Sequence, residues 1–326
     1  MINPSPLIDT HALACFVCIA EAESLTDAAQ RLNVTQSAVS QTLKQLETQL
    51  GTSLVIRRTR PLRLTAAGQM LKQQADTLLG DLRRLTSRVR GAAHQGLIQC
   101  RLGLVTSCSE VFGSRLIAQM DDRIEQLTLR SGLTPSLLQS FLNREVDILV
   151  SNDQLDEIEG LERYPLFRDP LLLAIPENFS FDDRLPSREA LSALALQHPL
   201  IRYGRNTHIG AITEVALRRM GILTQVRYET DDTHTLMRFV QDGHSWGIIS
   251  ALCLAQVAPH TEGIRLLPLD NNRHARHLHL LARQAELGEI PAEIAAHIRQ
   301  QMTGPVLHTL QQSAPWLHAS VLEPDI

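Results

Sequence analysis

The stretch SLTDAAQRLNVTQSAVSQTLKQLETQLG, residues 24–51, contains two helix starts and one tight turn, and its reading decides the fold of the first third of the chain. Ser24 followed three residues later by Asp27 has the spacing of a capping box, which starts a short helix over TDAAQRL. Asn33 comes next, a residue that takes the left-handed conformation ending a helix at little cost. Thr35 then stands as the cap of a second helix over residues 36–49. Within that helix Val39, Leu43, Leu46 and Leu50 recur at helical spacing and form the stripe expected to be buried. Gln36, Ser37, Ser40, Gln41 and Lys44 share the other face. Short polar side chains near a helix N-terminus can approach base edges, Gln pairs bidentately with adenine, and Lys44 reaches guanine or a phosphate. A solvated surface helix has the same polarity, so the neighbouring segments have to separate the two readings.

Upstream, Leu13, Phe16, Val17 and Ala20 lie on one stripe of a helical run over residues 7–21. Downstream, SLVIRRTRPLRLT (53–65) places Arg57, Arg58, Arg60 and Arg63 in a predicted hairpin with no acid between them. Guanidiniums clustered at a turn suit phosphate clamping or entry into a minor groove, and the contact set expected for double-stranded DNA is therefore Thr35, Gln36, Ser37, Ser40, Gln41, Lys44, Arg57, Arg58 and Arg60. Charge agrees. Residues 1–95 hold 11 Arg and Lys against 7 Asp and Glu, whereas the remainder holds 20 against 28, so the chain's net charge of −4 hides a basic first part.

These residues carry a resemblance. Phe16 to Ala20 (F-x-x-x-A), Ser24 to Leu32 (S-L-T-x-A-A-x-x-L), Val34 to Ser40 (V-T-Q-S-A-V-S), Leu43 to Glu47 (L-x-x-L-E), Gly51 and the segment R-P-L-R-L-T-x-A-G ending at Gly68 are similar to the winged helix-turn-helix of LysR-type transcriptional regulators. The chain departs from that pattern at Ser37, where the family often has Pro, and at Gln41, where it often has Arg. A DNA-binding domain is thus expected over residues 7–65, all-α-rich with a wing.

From Thr65 to Gly91 there is no proline, and Leu71, Ala75, Leu78, Leu82, Leu85 and Val89 step by alternating fours and threes, a heptad seam. Such a stripe can pack on its own domain; directly after a wing, the resemblance implies a dimerising linker helix over 66–91. A homodimer, or a homotetramer made of two such dimers, would present paired recognition helices to near-palindromic promoter sites. RNA polymerase is a further expected partner.

Beyond GAAHQG the pattern becomes strands alternating with helices, which predicts parallel βαβ units. Two α/β lobes, 97–170 with 271–312 and 171–270, resemble the periplasmic-binding-protein-like effector domain of the same family. Ligands in such sheets sit beyond the carboxyl ends of strands, near helix N-termini. Thr106, Ser107, Ser131, Thr134, Arg202, Tyr203, Thr207 and Thr230 occupy those positions, and the resemblance implies effector contact at Thr106, Ser107 and Thr134 in particular. Arg202 or Arg205 could pair with a carboxylate, which makes a small organic acid the leading co-inducer. No cofactor or metal is expected. His274, His277 and His279 lie close together but lack a Cys or carboxylate to complete a site.

One motif points elsewhere. GHSWG (243–247) matches G-x-S-x-G, the nucleophile elbow of serine hydrolases, with Ser245 as the nucleophile. The elbow needs a strand before the serine and a helix after it. Here THTLMRFVQDG reads as a helix ending at Gly243 and WGIIS as a strand, so the order is reversed and the chain is not expected to be an enzyme.

Composition sets the remaining bounds. With 44% hydrophobic and 20% charged residues the chain is ordinary globular material. MINPSPLIDTH has no basic run leading into an apolar core, and no segment approaches the roughly 18 apolar residues of a membrane helix, so a cytoplasmic location without membrane contact is expected. Cys15, Cys18, Cys100, Cys108 and Cys253 are odd in number and irregular in spacing, as for reduced thiols, with the Cys15/Cys18 pair in an apolar helical run expected to pack rather than react.

Overall fold

The computed structural model describes residues 8–56, 61–94, 98–120, 123–181, 186–224, 226–258, 260–269 and 273–324. The chain divides into two compact units, one comprising Met1–Gly96 with Leu142–Glu145 and the other Leu97–Phe141 with Val146–Ile326.

In the first unit, α1 (Thr10–Glu21), α2 (Leu25–Arg31) and α3 (Gln36–Leu50) enclose a core of Phe16, Ile19, Ala28, Val39, Leu43 and Leu46. The capping chemistry sets their ends. Ser24 Oγ accepts the Asp27 amide at 3.1 Å, Asp27 accepts the Glu23 amide in return, and Asn33 turns the chain at φ 53°. Thr35 Oγ1 accepts the Ala38 amide at the start of α3, and Gly51 closes that helix in the left-handed region at φ 67°. Leu50 lies off the buried stripe, 37% exposed. Glu47 is buried instead, because its carboxylate accepts the Leu54 amide at 2.8 Å and so ties α3 to the strand that follows. That strand, β1 (Val55–Ile56), pairs antiparallel with β2 (Arg63–Leu64), and α4 (Ala66–His94) leads away. The heptad seam on α4 splits. Leu71 packs on the first unit's core and Ala75 is buried, whereas Leu78, Leu82 and Leu85 are 51%, 41% and 57% exposed. The side chain of Val89 lies outside the described residues.

The second unit contains one long curled sheet with helices on it. Strands β3 (Ile98–Val105), β4 (Ile124–Gly132) and β5 (Ile148–Ser151) form its first part, interleaved with α5 (Thr106–Met120) and α6 (Thr134–Leu142). Then β6 (Leu161–Pro176) runs through both lobes. The second lobe holds α7 (Arg188–Gln197), β7 (Leu200–Tyr203), α8 (His208–Arg219), β8 (Val226–Thr230), α9 (Thr233–Gln241), β9 (Trp246–Ser250), α10 (Ala251–Val257) and β10 (Ile264–Pro268). Finally β11 (Ala275–Arg283) and α11 (Ile290–Gln301) return to the first lobe, followed by α12 (Leu307–Ser313) and α13 (Ala319–Leu322).

Strand order is β4-β3-β5-β11-β6-β9-β7-β8, with β10 on the side of β6. The expectation of parallel units holds only within each lobe, for β3 with β4 and β5 and for β7 with β8 and β9. Where the chain crosses between lobes, β11 and β6 pair antiparallel, and β6 also lies antiparallel to β9 and β10, so the sheet is mixed. A segment that leaves one lobe and another that returns to it run in opposite directions by necessity. Buried residues of both lobes merge into one apolar cluster that includes Leu171, Leu172, Leu173 and Ala174 of β6. The C-terminal segment contributes to it through Leu317 and Leu322, and Trp316 donates to the Leu266 carbonyl. Among the described residues no helix is long and apolar enough to cross a membrane.

Candidate nucleic-acid interface and ligand cleft

Val39, Leu43 and Leu46 take one face of α3 inward and leave its polar residues on the other. Thr35, Gln36, Ser37, Gln41 and Lys44 are exposed there and Ser40 is half-buried. Thr35 and Ser37 share a hydroxyl-to-hydroxyl hydrogen bond of 3.0 Å, which fixes the first turn of the helix where its free N–H groups emerge. Two amides, three hydroxyls and one ammonium on a single helical face, with donors and acceptors both present, make a surface able to read base edges and touch phosphate. Arg57, Arg58 and Arg60 fall outside the described residues. Arg63, on β2, is exposed.

In the second unit a cleft of about 80 Å³ lies between the lobes. The amino-terminal turns of four helices open on it: Thr106 and Ser107 of α5, Thr134 of α6, His208 and Ile209 of α8, and Thr233 of α9. Each follows a strand, so the chain arrives from a sheet edge and delivers backbone N–H groups to the same space. Of the residues expected from sequence, Thr106, Ser107, Thr134, Tyr203 and Thr207 line this cleft. Thr207 is committed to capping α8, where its hydroxyl accepts the Gly210 amide at 3.0 Å, and Thr134 donates to Asn152. Three expected residues do not line it. Ser131 is exposed on the edge strand β4. Arg202 is held by Glu229 at 2.8 Å with Glu214 at 3.8 Å, and Arg205 also pairs with Glu214. Thr230 closes the turn before α9 by accepting the Asp232 amide.

Sequence reasoning missed the residue at the floor of the cleft. Arg276 of β11 is buried and faces Asp169 of β6 in register, with Nε donating to Oδ2 at 2.7 Å. Its Nη2 donates to Ser107 Oγ in the first lobe at 3.1 Å and to Ser250 Oγ in the second at 3.4 Å. The other Asp169 oxygen accepts the Leu252 amide at 2.7 Å. One ion pair at the crossover thereby touches both lobes. A hydrogen-bond chain links them again: Tyr203 donates to Thr233, Thr233 to Gln256, and Gln256 to Glu110 of α5, each at 2.9 Å. Burial pushes the His208 pKa down to about 4, the Arg276 charge acts in the same direction and Asp153 opposes both, so its imidazole is neutral near pH 7. Cys253 also lines the cleft; Cys108 beside this site is fully buried, and burial pushes its thiol up to about 12, which removes the thiolate needed for reactivity.

The hydrolase motif fails on geometry. Gly243 ends α9 at φ 74°, Ser245 immediately precedes β9, and its buried hydroxyl has no hydrogen-bond partner, and so no base, among the described residues. An unpaired buried hydroxyl costs about 1–3 kcal/mol of desolvation, so Ser245→Ala is expected to be neutral to stabilising in thermal melts. A fall in melting temperature of several degrees would show that the hydroxyl has a role.

A helix-turn-helix with a polar exposed face, carried on the same chain as two α/β lobes that share a cleft, defines a DNA-binding regulator with a sensor domain. The comparisons agree. Residues 10–69 match the bacterial regulatory helix-turn-helix protein, lysR family, and residues 98–303 match the LysR substrate binding domain. The chain belongs to the LysR family and is a DNA-binding transcriptional regulator with an effector-binding domain. It is similar to the HTH-type transcriptional regulator SsuR of Burkholderia cenocepacia, 25% identical over 233 residues, which cover 70% of this chain and 74% of that one. To HdfR of Yersinia enterocolitica it is 30% identical over 158 residues, 47% of this chain and about half (53%) of the relative's length. The fold is that of CbnR, a LysR family transcriptional regulator, with a TM-score of 0.65 at 20% identity over 90% of this chain and 99% of that one. Full-length OxyR from Pseudomonas aeruginosa gives 0.63 at 19% identity over 90% of this chain and 98% of that one.

Proposed function

We propose that this regulator reads near-palindromic promoter DNA as a homodimer or homotetramer, in the cytoplasm and without enzymatic activity of its own. Gln36, Ser37, Ser40, Gln41 and Lys44 enter the major groove, and the wing arginines Arg57, Arg58 and Arg60 take the flanking phosphates. The exposed polar face of α3 opposite a buried stripe is the observation that carries this reading. The solved complex of CbnR with its target DNA supports it, and the outward-facing Leu78, Leu82 and Leu85 on α4 support pairing through that helix. RNA polymerase is the further partner, and an effector seated between the lobes shifts the arrangement of protomers on DNA, changing spacing and bend of the bound sites. A small organic acid is the first ligand class to test.

Ser40→Arg tests the DNA reading. Ser40 sits half-buried on the reading face, so a guanidinium there displaces the helix from the bases while adding a phosphate contact. Gel shifts on DNA flanking the protein's own gene should show specific binding weakened at least tenfold, since each lost base contact is worth about 1–3 kcal/mol, with non-specific binding equal or stronger. Specific binding retained by the variant would overturn the assignment of α3.

A further inference from the structure

Charge is distributed unevenly along the depth of the cleft. Its floor is Arg276, buried and already matched by Asp169, beside the amino-terminal turns of α5, α6 and α8. Its rim carries two exposed carboxylates, Asp231 and Asp232, the second of which caps α9 through one oxygen. Among the described lining residues Arg276 is the one permanent cation, because burial keeps His208 neutral. An anion is therefore favoured at the floor, where helix N–H groups and a guanidinium converge, and a cation is favoured at the rim. A plain carboxylic acid meets two carboxylates on its way in without compensation. A plain amine meets the amino-terminal turns of α5, α6 and α8 at the floor, that of α9 at the rim, and a guanidinium. Each is rejected by the group that the other would satisfy.

We propose that the effector is a small zwitterion, an α-amino acid with a short side chain, bound carboxylate-down at Arg276 and the α5, α6 and α8 turns and ammonium-up at Asp231. Size agrees with charge: a cleft of about 80 Å³ is well below the roughly 300–1,000 Å³ of a drug-sized pocket, which favours a small ligand with a short side chain. The polar chain Tyr203–Thr233–Gln256–Glu110 passes along one wall and joins the lobes, so a ligand in contact with Gln256 and Thr233 bears on how they are held together. The proposal rests on the reading of this cleft as the effector site and replaces the organic acid by a zwitterion within it.

The test compares L-alanine, propionate and ethylamine on the full-length protein, by calorimetry and thermal shift. Propionate removes only the ammonium from alanine, and ethylamine removes only the carboxylate. Alanine should bind at least tenfold tighter than either, and Asp231→Asn should weaken alanine at least tenfold while leaving propionate unchanged or improved. Propionate binding as tightly as alanine, Asp231→Asn without effect on alanine, or silence from all three compounds overturns the zwitterion. Thr134→Trp, with Gln256→Trp as its counterpart on the other lobe, fills the cleft and separates the two levels of the claim. Propionate that wins and is blocked by these variants leaves the cleft intact and removes only the amino acid. Alanine that binds in spite of both removes the cleft itself.

Discussion

Replacing Arg276 by Met is expected to destabilise the effector domain by about 3–5 kcal/mol, a fall in melting temperature on the order of 10 °C for a domain of this size. Asp169 is fully buried, and without the guanidinium at 2.7 Å its carboxylate keeps the Leu252 amide and little else against the loss of water. The penalty is that of an uncompensated buried charge, much larger than the net value of the pair. The double variant Asp169→Leu/Arg276→Met separates the two quantities, because apolar side chains of similar size in the same register remove the charge altogether. It should recover most of the stability in urea unfolding. What it should not recover is ligand response, since Arg276 also holds Ser107 and Ser250 on the two sides of the cleft. A double variant as unstable as the single one would mean that the contacts to the two serines, rather than the charge balance, hold the crossover.

How the pair escaped the sequence is instructive. NNRHARHLHLL draws the eye to His277 and His279, which share one strand face, while Arg276 alternates with them and lies on the other. A charge in the apolar register of a strand is a readable signal that a counter-charge waits on a neighbouring strand, but the sequence does not say which strand. The same period explains the partial success at the cleft. The rule that ligands meet strand ends and helix starts located Thr106, Ser107, Thr134, Tyr203 and Thr207, yet it does not distinguish adjacent residues, which point to opposite sides. Tyr203 turns inward to Thr233, and Arg202 next to it turns outward to Glu229. The cleft's other walls come from segments as far apart as residues 132 and 256, and only the closed sheet brings them together.

The helix-turn-helix was legible because its signals are local: caps at Ser24 and Thr35, a left-handed Asn33, and a stripe of apolar residues. Strand β6 was half hidden for the opposite reason. Pro165 and Pro170 interrupt it, and a residue without an N–H argues against a strand. The structure accommodates Pro165 opposite His279, directly at the register shift after Leu278. On α4 the heptad was legible but its use was not, because Leu71 and Ala75 belong to the same stripe as Leu78, Leu82 and Leu85 and yet serve the fold of their own unit.

Gly68→Ala is expected to abolish specific DNA binding, with at least a hundredfold loss in gel shifts, although Gly68 lies on α4 and outside the reading face. A Cβ at this position would stand 2.1 Å from the Leu54 carbonyl oxygen and 3.1 Å from its carbon, and backbone cannot swing aside as a side chain can. Leu54 is pinned from both sides: its oxygen accepts the Thr65 amide at 3.0 Å, and its N–H donates to Glu47 of α3 at 2.8 Å. Relieving the clash therefore moves the entry to β1, breaks one of these bonds, or levers α4 off the wing, and each route disturbs α3 relative to the hairpin. Overpacking alone costs about 1–3 kcal/mol, and losing the hydrogen bond from the Leu54 amide to Glu47 adds to it. Gly51→Ala is the control, because that glycine holds φ 67° with nothing within 4 Å, so the substitution brings strain of about 1–2 kcal/mol without a clash. Hydrogen exchange should show residues 36–69 opening in the Gly68 variant and near-normal protection in the control. If the two variants weaken DNA binding equally, general loss of stability decides the outcome, and the Leu54 contact has no special part in holding the wing to α3.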